Sequence, residues 1–311
     1  MIKHLVRILF SVLLLGYVGL KIDWQTMAAV FKGLNIGWYL LSTIIALSSA
    51  VFMAAKYHLL IRGTSLSLTV TRLLVIQYIS RFYALLLPTA LGPEAVRWYK
   101  VTRDKKGKSF FLAATAYERM LFLLTLLCCG MIPLLLSRNN PAILDLRDRL
   151  WPIAAVCGVA LAAGIFYLLN GAIHRVVFSF LKKWLRTKKG GRLDLVLDNM
   201  VLKDRSMKLL IRLVFFTLCW QLFFIARIYF LFHSMGLSFD IIEAAWMGSL
   251  VMLLQVLPVS FAGLGIREGA YAYLFALYGL PAEQGVVIGL LFFTQMLSFA
   301  VIGSVLTFFE K

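Results

Sequence analysis

Apolar runs long enough to cross a bilayer recur along this chain between residues 5 and 309, joined by short links. A hydrocarbon core about 30 Å thick takes roughly 20 apolar residues in helical form. It also forces every backbone N–H and C=O to find a partner within the protein. The chain therefore reads as an all-α integral membrane protein, a class that its 61% hydrophobic composition suits. Six full transmembrane helices are expected, at about residues 5–20, 36–55, 113–136, 151–169, 213–232 and 286–309. Residues 1–20 resemble a signal peptide but lack a small-x-small cleavage site after the apolar run, so they are read as an uncleaved first span. Spans and short connections account for all 311 residues, which predicts one polytopic membrane domain, 1–311, with no soluble catalytic domain.

Two further apolar stretches are broken. Leu87-Pro88-Thr89-Ala90-Leu91-Gly92-Pro93-Glu94-Ala95-Val96-Arg97 matches Leu257-Pro258-Val259-Ser260-Phe261-Ala262-Gly263-Leu264-Gly265-Ile266-Arg267 without a gap. Broken hydrophobic segments at corresponding places in two halves point to a transporter's binding site. Basic residues lie on both sides of the first: Lys56, Arg62 and Arg72 before it, and Arg97, Lys100, Arg103, Lys105, Lys106 and Lys108 after it. The positive-inside rule keeps both clusters cytoplasmic only if the segment dips in and returns. The second broken segment, 244–279, follows a loop with Asp240 and Glu243 and precedes a span that ends at Lys311. It must enter from outside and return outside. The expectation is six spans plus two oppositely oriented re-entrant hairpins in an inverted-repeat arrangement; if the hairpins cross, the count is eight. The repeat-like halves are about 36–137 and 209–309. Pro88, Gly92, Pro93, Pro258, Gly263 and Gly265 are the hairpin-shaping residues.

The segment 174–212 joins the halves and carries eleven Lys and Arg against three Asp, which makes it cytoplasmic. Residues 174–186 read as an amphipathic helix on the inner leaflet, and 182–192 could hold anionic headgroups, although topology enforcement is the primary reading. Both termini are then cytoplasmic, and the expected location is the cell inner membrane. The formal charge of +18 flanks apolar spans, which argues against a nucleic-acid partner. Cys128, Cys129, Cys157 and Cys219 sit in apolar runs, and the four histidines are scattered, so no metal, disulfide framework or cofactor is expected.

Ionisable residues at membrane depth cost about 2.5–3.5 kcal/mol each on insertion scales, so each needs a partner, a water cavity or an interfacial position. The candidates are Arg81, Glu94, Arg97, Glu118, Arg119, Arg227, Arg267 and Glu268. Five arginines against three glutamates leave a surplus of two, which suits an anionic group such as phosphate. Arg97 and Arg267 lead, because each follows a helix break whose N–H groups add anion affinity. The alternative for Arg97 is an interfacial anchor. Adjacent Glu118-Arg119 and Arg267-Glu268 are expected to diverge around the helix. Glu118 is expected to pair with Arg97 or Arg81, and Glu268 with Arg227. A structural ion-pair network fits these residues as well as a relay does. Phe82, Tyr83, Trp98, Tyr99, Tyr271 and Tyr273 are read as mostly interfacial belt residues. No GxSxG, P-loop or paired acidic motif is present, so the chain is not read as an enzyme.

Across roughly residues 5–308 the sequence resembles the flippase-like family of the lysylphosphatidylglycerol synthase transmembrane region. The resemblance rests on Leu87-Pro88 with Gly92 to Arg97, on Glu118-Arg119, and most specifically on Pro258 to Glu268. Pro93 and Glu94 stand where the family often has a second glycine and an aspartate. The resemblance implies a lipid translocase for an anionic membrane lipid or a polyprenyl-phosphate lipid. Without an aminoacyl-transferase domain, lysyl transfer is not implied. The headgroup would lie between the hairpin tips on Arg97 and Arg267, steadied by Glu94, Glu118 and Glu268. The alternative is an accessory or scaffold subunit for an envelope-lipid biosynthetic enzyme.

Overall fold

The computed structural model describes residues 24–86, 92–103, 107–137, 207–256 and 263–309, with a few positions between 144 and 159. The expected spans at 5–20 and 151–169, the amphipathic segment 174–186, and Pro88 and Pro258 at the hairpin tips lie outside these residues or mostly so. Ten helices make up the described structure: α1 Trp24–Lys32, α2 Ile36–Ser48, α3 Ala50–Ile61, α4 Val70–Leu86, α5 Gly92–Thr102, α6 Lys108–Leu136, α7 Met207–Ser234, α8 Ile241–Val256, α9 Ile266–Leu277 and α10 Ala282–Phe309. Among the described residues there is no strand.

Four helical stretches are long and apolar enough to cross a membrane: Ile36–Ile61, Lys108–Leu136, Lys208–Ser234 and Ala282–Phe309. They correspond to four of the six expected spans. The first runs to Ile61 rather than stopping at Ala55 and is interrupted at Ser49, between α2 and α3. That extension takes Lys56 from a flank into the protein interior, where it is fully buried. The shorter helices fall below membrane thickness. At 1.5 Å per residue, α5 is about 16 Å long and α9 about 18 Å, against about 30 Å of hydrocarbon.

The ends of these helices fix how they run. The Asn35 N–H, at the start of α2, donates to the Ser234 carbonyl at the end of α7 at 2.7 Å, so these two ends lie together. Asp240 caps α8 from the same end, accepting the N–H groups of Ile242 at 2.7 Å and Glu243 at 3.0 Å. A hydrogen bond with the Glu243 side chain holds the Asp240 carboxyl below its usual range. The α9 exit closes on this end too, where Tyr278 meets Phe239 with ring centroids 4.9 Å apart. At the opposite end, Gly107, before α6, packs on Ser65 and Leu66, before α4. The α4/α5 pair therefore starts and finishes at one end of the bundle, and α8/α9 starts and finishes at the other.

Helix α10 packs on α4, and α6 packs on α8. Helix α10 lies against both α9 and α4. Its inner face reads Gly285, Gly289, Phe292, Met296, Phe299, Gly303, alternating steps of four and three residues. A Cβ on Gly285 would fall on the backbone of Tyr271 and Ala272 in α9, and one on Gly303 on the Tyr78 carbonyl in α4. Small residues at such crossings let backbones meet where lipid supplies no hydrophobic drive. Each end of α10 is thus clamped to a different hairpin, and larger side chains occupy the stretch between.

Candidate functional site

A cavity of about 180 Å³ lies along that middle stretch of α10. At about 30 Å³ per water, it has room for roughly six waters or one small polar group. Phe292 and Phe299 form its α10 wall, and Gln255 reaches it from α8. Three arginines line it: Arg81 from α4, Arg227 from α7 and Arg267 from α9. Among the described residues its lining contains no carboxylate.

Each guanidinium is held in a different way. Arg267 is 5% exposed and donates from Nε at 3.2 Å and Nη2 at 2.7 Å to Glu268 Oε1. Glu268 Oε2 accepts the Gly265 N–H at 2.6 Å, reaching back from the first turn of α9 to its N-cap. Gly265 has φ +84°, a left-handed region that glycine enters without strain. Arg227 donates from Nε to Gln295 Oε1 at 2.6 Å and lies 4.2 Å from the centroid of Phe292. Gln295 is itself fully buried and donates to Ser42 Oγ at 2.9 Å and Thr43 Oγ1 at 3.2 Å. Arg267 approaches the same Phe292 ring at 5.8 Å, so that ring serves both cations. Arg81 lies 5.6 Å from the centroid of Phe299.

The charge balance follows. Among the described residues, Glu268 is the one carboxylate bonded to any of the three; Glu94, which is paired with Arg119, acts on Arg81 only through space, so the cavity keeps a positive surplus. The other two candidate glutamates are engaged elsewhere. Glu118 Oε1 accepts Lys56 Nζ at 2.6 Å, with side chains 6% and 1% exposed. Glu94 Oε1 accepts Arg119 Nη2 at 2.9 Å, in a half-exposed position.

Arg97 does not line the cavity. It is buried, donates from Nε to Gln77 Oε1 and from Nη1 to Tyr57 Oη, both at 2.8 Å, and sits over the Tyr57 ring at 4.7 Å. These are neutral partners.

The expected pairings differ from the observed ones in several places. Glu118 goes to Lys56 rather than to Arg97 or Arg81, because α3 continues past Ala55 and brings Lys56 inside. Glu268 goes to Arg267 rather than to Arg227. Adjacent residues in a helix interior do point apart, but these two occupy the first turn of α9, where Glu268 folds back to the N-cap and Arg267 meets it there. Glu118-Arg119 does diverge as expected. Glu94 and Glu118 hydrogen-bond to Arg119 and Lys56 rather than to Arg97 or Arg267, but both carboxylates lie near enough to attract the Arg97 guanidinium. Tyr271 is buried beside the cavity rather than in an interfacial belt, whereas Tyr99 and Tyr273 are exposed. Gly92 opens α5 with Pro93 in its first turn, and Gly263 takes φ +77° before α9.

Lys56, Tyr57, Gln77 and Gln295 were missed by sequence reasoning. A lysine 20 residues after Ile36 and a glutamine in the middle of α10 are polar residues at membrane depth, and depth was the available signal.

The family model for the lysylphosphatidylglycerol synthase TM region matches residues 4–303. The chain belongs to this family. No curated protein and no solved structure matches it. The match covers both hairpins and all three cavity arginines, so this lysylphosphatidylglycerol synthase TM-region protein carries its candidate site inside the family region. The family's name ties this membrane protein to lipid biology.

Proposed function

We propose that this protein is a lipid translocase of the cytoplasmic membrane that binds an anionic lipid headgroup in the cavity between α4, α7, α8, α9 and α10. The observation that carries this reading is the cavity wall, which among the described residues holds three arginines and aromatic rings and no carboxylate, in an apolar bundle. Guanidinium groups hold phosphate bidentately and are less strongly hydrated than ammonium groups, which favours them in such a setting. Acyl or prenyl chains would remain in the bilayer while the headgroup entered.

The topology supports the same function. The α4/α5 and α8/α9 pairs act as re-entrant hairpins from opposite faces, each too short in one arm to cross. The end of the bundle holding the α4/α5 termini carries Arg62, Arg72, Lys100, Arg103, Lys108, Lys208 and Arg212. The other end carries Asp240, Glu243 and Glu283 against one lysine, Lys32. By the positive-inside rule the first is cytoplasmic. The mutual packing of α10 on α4 and α6 on α8 is what two inverted halves, 36–137 and 209–309, would produce.

The test is native mass spectrometry of the lipids that copurify with wild type, Arg227→Ala and Arg267→Ala. One anionic lipid class, enriched in wild type and lost from both variants at equal membrane abundance, is the expected result. Equal, unselective lipid in all three would make the arginines structural and favour an accessory subunit of an envelope-lipid enzyme.

A further inference from the structure

A second, smaller cavity of about 20 Å³ adjoins the first and shares three of its walls: Arg81, Trp220 and Phe299. Its other lining includes Ser49 and Gln77. Gln77 is the acceptor of the Arg97 Nε hydrogen bond, so this cavity leads from Arg81 towards Arg97. Ser49 is the break between α2 and α3, so the small cavity borders the one interrupted span among the described spans.

The two helices that frame both cavities set the spacing. On α10, Phe292 and Phe299 are seven residues apart, and so are Arg227 and Trp220 on α7. Seven residues of helix rise about 10 Å, roughly a third of the hydrocarbon thickness of about 30 Å. Arg227 and Arg267 share the ring of Phe292 at one level. Arg81 sits on the ring of Phe299 at the next. The cations therefore form two layers, each resting on a phenylalanine of α10, with Arg81 at the constriction that both cavities share.

Resting on the headgroup reading above, we infer that the small cavity is a second headgroup station, and that Arg81 passes the anionic group from the Arg227/Arg267 layer to it. The first station holds the group against two guanidiniums. The second holds it against Arg81, with Ser49 and Gln77 as neutral hydrogen-bonding neighbours. Gln77 that turns to the headgroup releases Arg97 Nε, so arrival at this station frees a further donor. The closed volume of about 20 Å³ accepts no headgroup as it stands; occupancy requires α3 to move at the Ser49 break. The ligand chemistry is a phosphodiester or phosphomonoester headgroup, small and carrying at least one negative charge.

The experiment places a photocrosslinking benzoylphenylalanine at Met296, in the large cavity, or at Met53, in the small one. The full chain is reconstituted in phosphatidylcholine vesicles containing one-tenth phosphatidylglycerol by count, roughly, and adducts are identified by mass spectrometry. The expected result is phosphatidylglycerol enriched over phosphatidylcholine at both positions. Arg81→Gln should cut the Met53 adduct about tenfold and the Met296 adduct, which Arg227 and Arg267 still support, by much less; the remaining selective Met296 adduct also shows that the variant is folded. Arg81→Lys, which keeps the charge, should retain both. A Met53 adduct that is unselective, or unchanged by Arg81→Gln while Met296 stays selective, overturns the second station and leaves the headgroup cavity standing. Loss of selectivity at both positions in otherwise wild-type protein overturns the headgroup reading and this inference with it.

Discussion

Lys56 and Glu118 form the most deeply buried ion pair among the described residues that does not touch the cavity, with side chains 1% and 6% exposed and 2.6 Å between Nζ and Oε1. Lys56→Met keeps the chain length and removes the charge, which leaves the Glu118 carboxylate buried without its cation. Breaking such a pair costs about 3–5 kcal/mol, whereas replacing both partners by apolar residues is often neutral or stabilising. Lys56→Met alone should therefore destabilise by about 3–5 kcal/mol, and Lys56→Met/Glu118→Leu should recover most of that loss. Glu118 also attracts the neighbouring Arg97 guanidinium, so the double variant should recover most rather than all of the loss. The assay is equilibrium unfolding of the purified protein in mixed detergent, followed by tryptophan fluorescence. At roughly 2 °C or more per kcal/mol for a chain of this size, a thermal scan should drop by about 6–10 °C in the single variant. A double variant no more stable than Lys56→Met would refute the pairing argument, as would a single variant within about 0.5 kcal/mol of wild type.

Other perturbations test the packing and the site. Gly285→Ala places a methyl group on the α9 backbone and should destabilise by about 1–3 kcal/mol or more. Gly269→Ala, in α9 with open space around its Cβ, should instead raise stability by about 0.5–1 kcal/mol; thermal scans of both separate the cases. Glu268→Gln removes the carboxylate from Arg267 and weakens the α9 cap. It should increase the amount of anionic lipid that copurifies while lowering the melting temperature, measured together on one preparation. Asp240→Ala removes the side-chain acceptor for two N–H groups at the start of α8 and should cost about 1 kcal/mol in the same unfolding assay.

How much of this was legible beforehand depends on the range of the interaction that decides each feature. Bilayer solvation acts on every residue alike, so the run of apolar residues by itself determined the all-α membrane class and the approximate place of the spans at 36–55, 113–136, 213–232 and 286–309. The start of α5 at Gly92-Pro93 and the turn at Gly263–Gly265 were local too, since proline and positive-φ glycine act on their own backbone. The candidate ionisable residues could be named because each stood out against apolar neighbours.

Which charge meets which was a matter of tertiary structure. Lys56 and Glu118 lie 62 residues apart and Arg227 and Gln295 lie 68 apart, so only the packing of α3 on α6 and of α7 on α10 brings them together. Arg97 and Arg267 are equivalent in the aligned motifs, yet one is closed off by Tyr57 and Gln77 while the other lines the cavity. Nothing in the repeated segments distinguishes them; the partners that do belong to other helices. The cavity itself exists because glycines clamp the two ends of α10 to different hairpins while Phe292, Met296 and Phe299 hold the stretch between them apart. Sequence alone determined what the bilayer and the backbone demand residue by residue, and the structure decided every contact whose partners are distant along the chain.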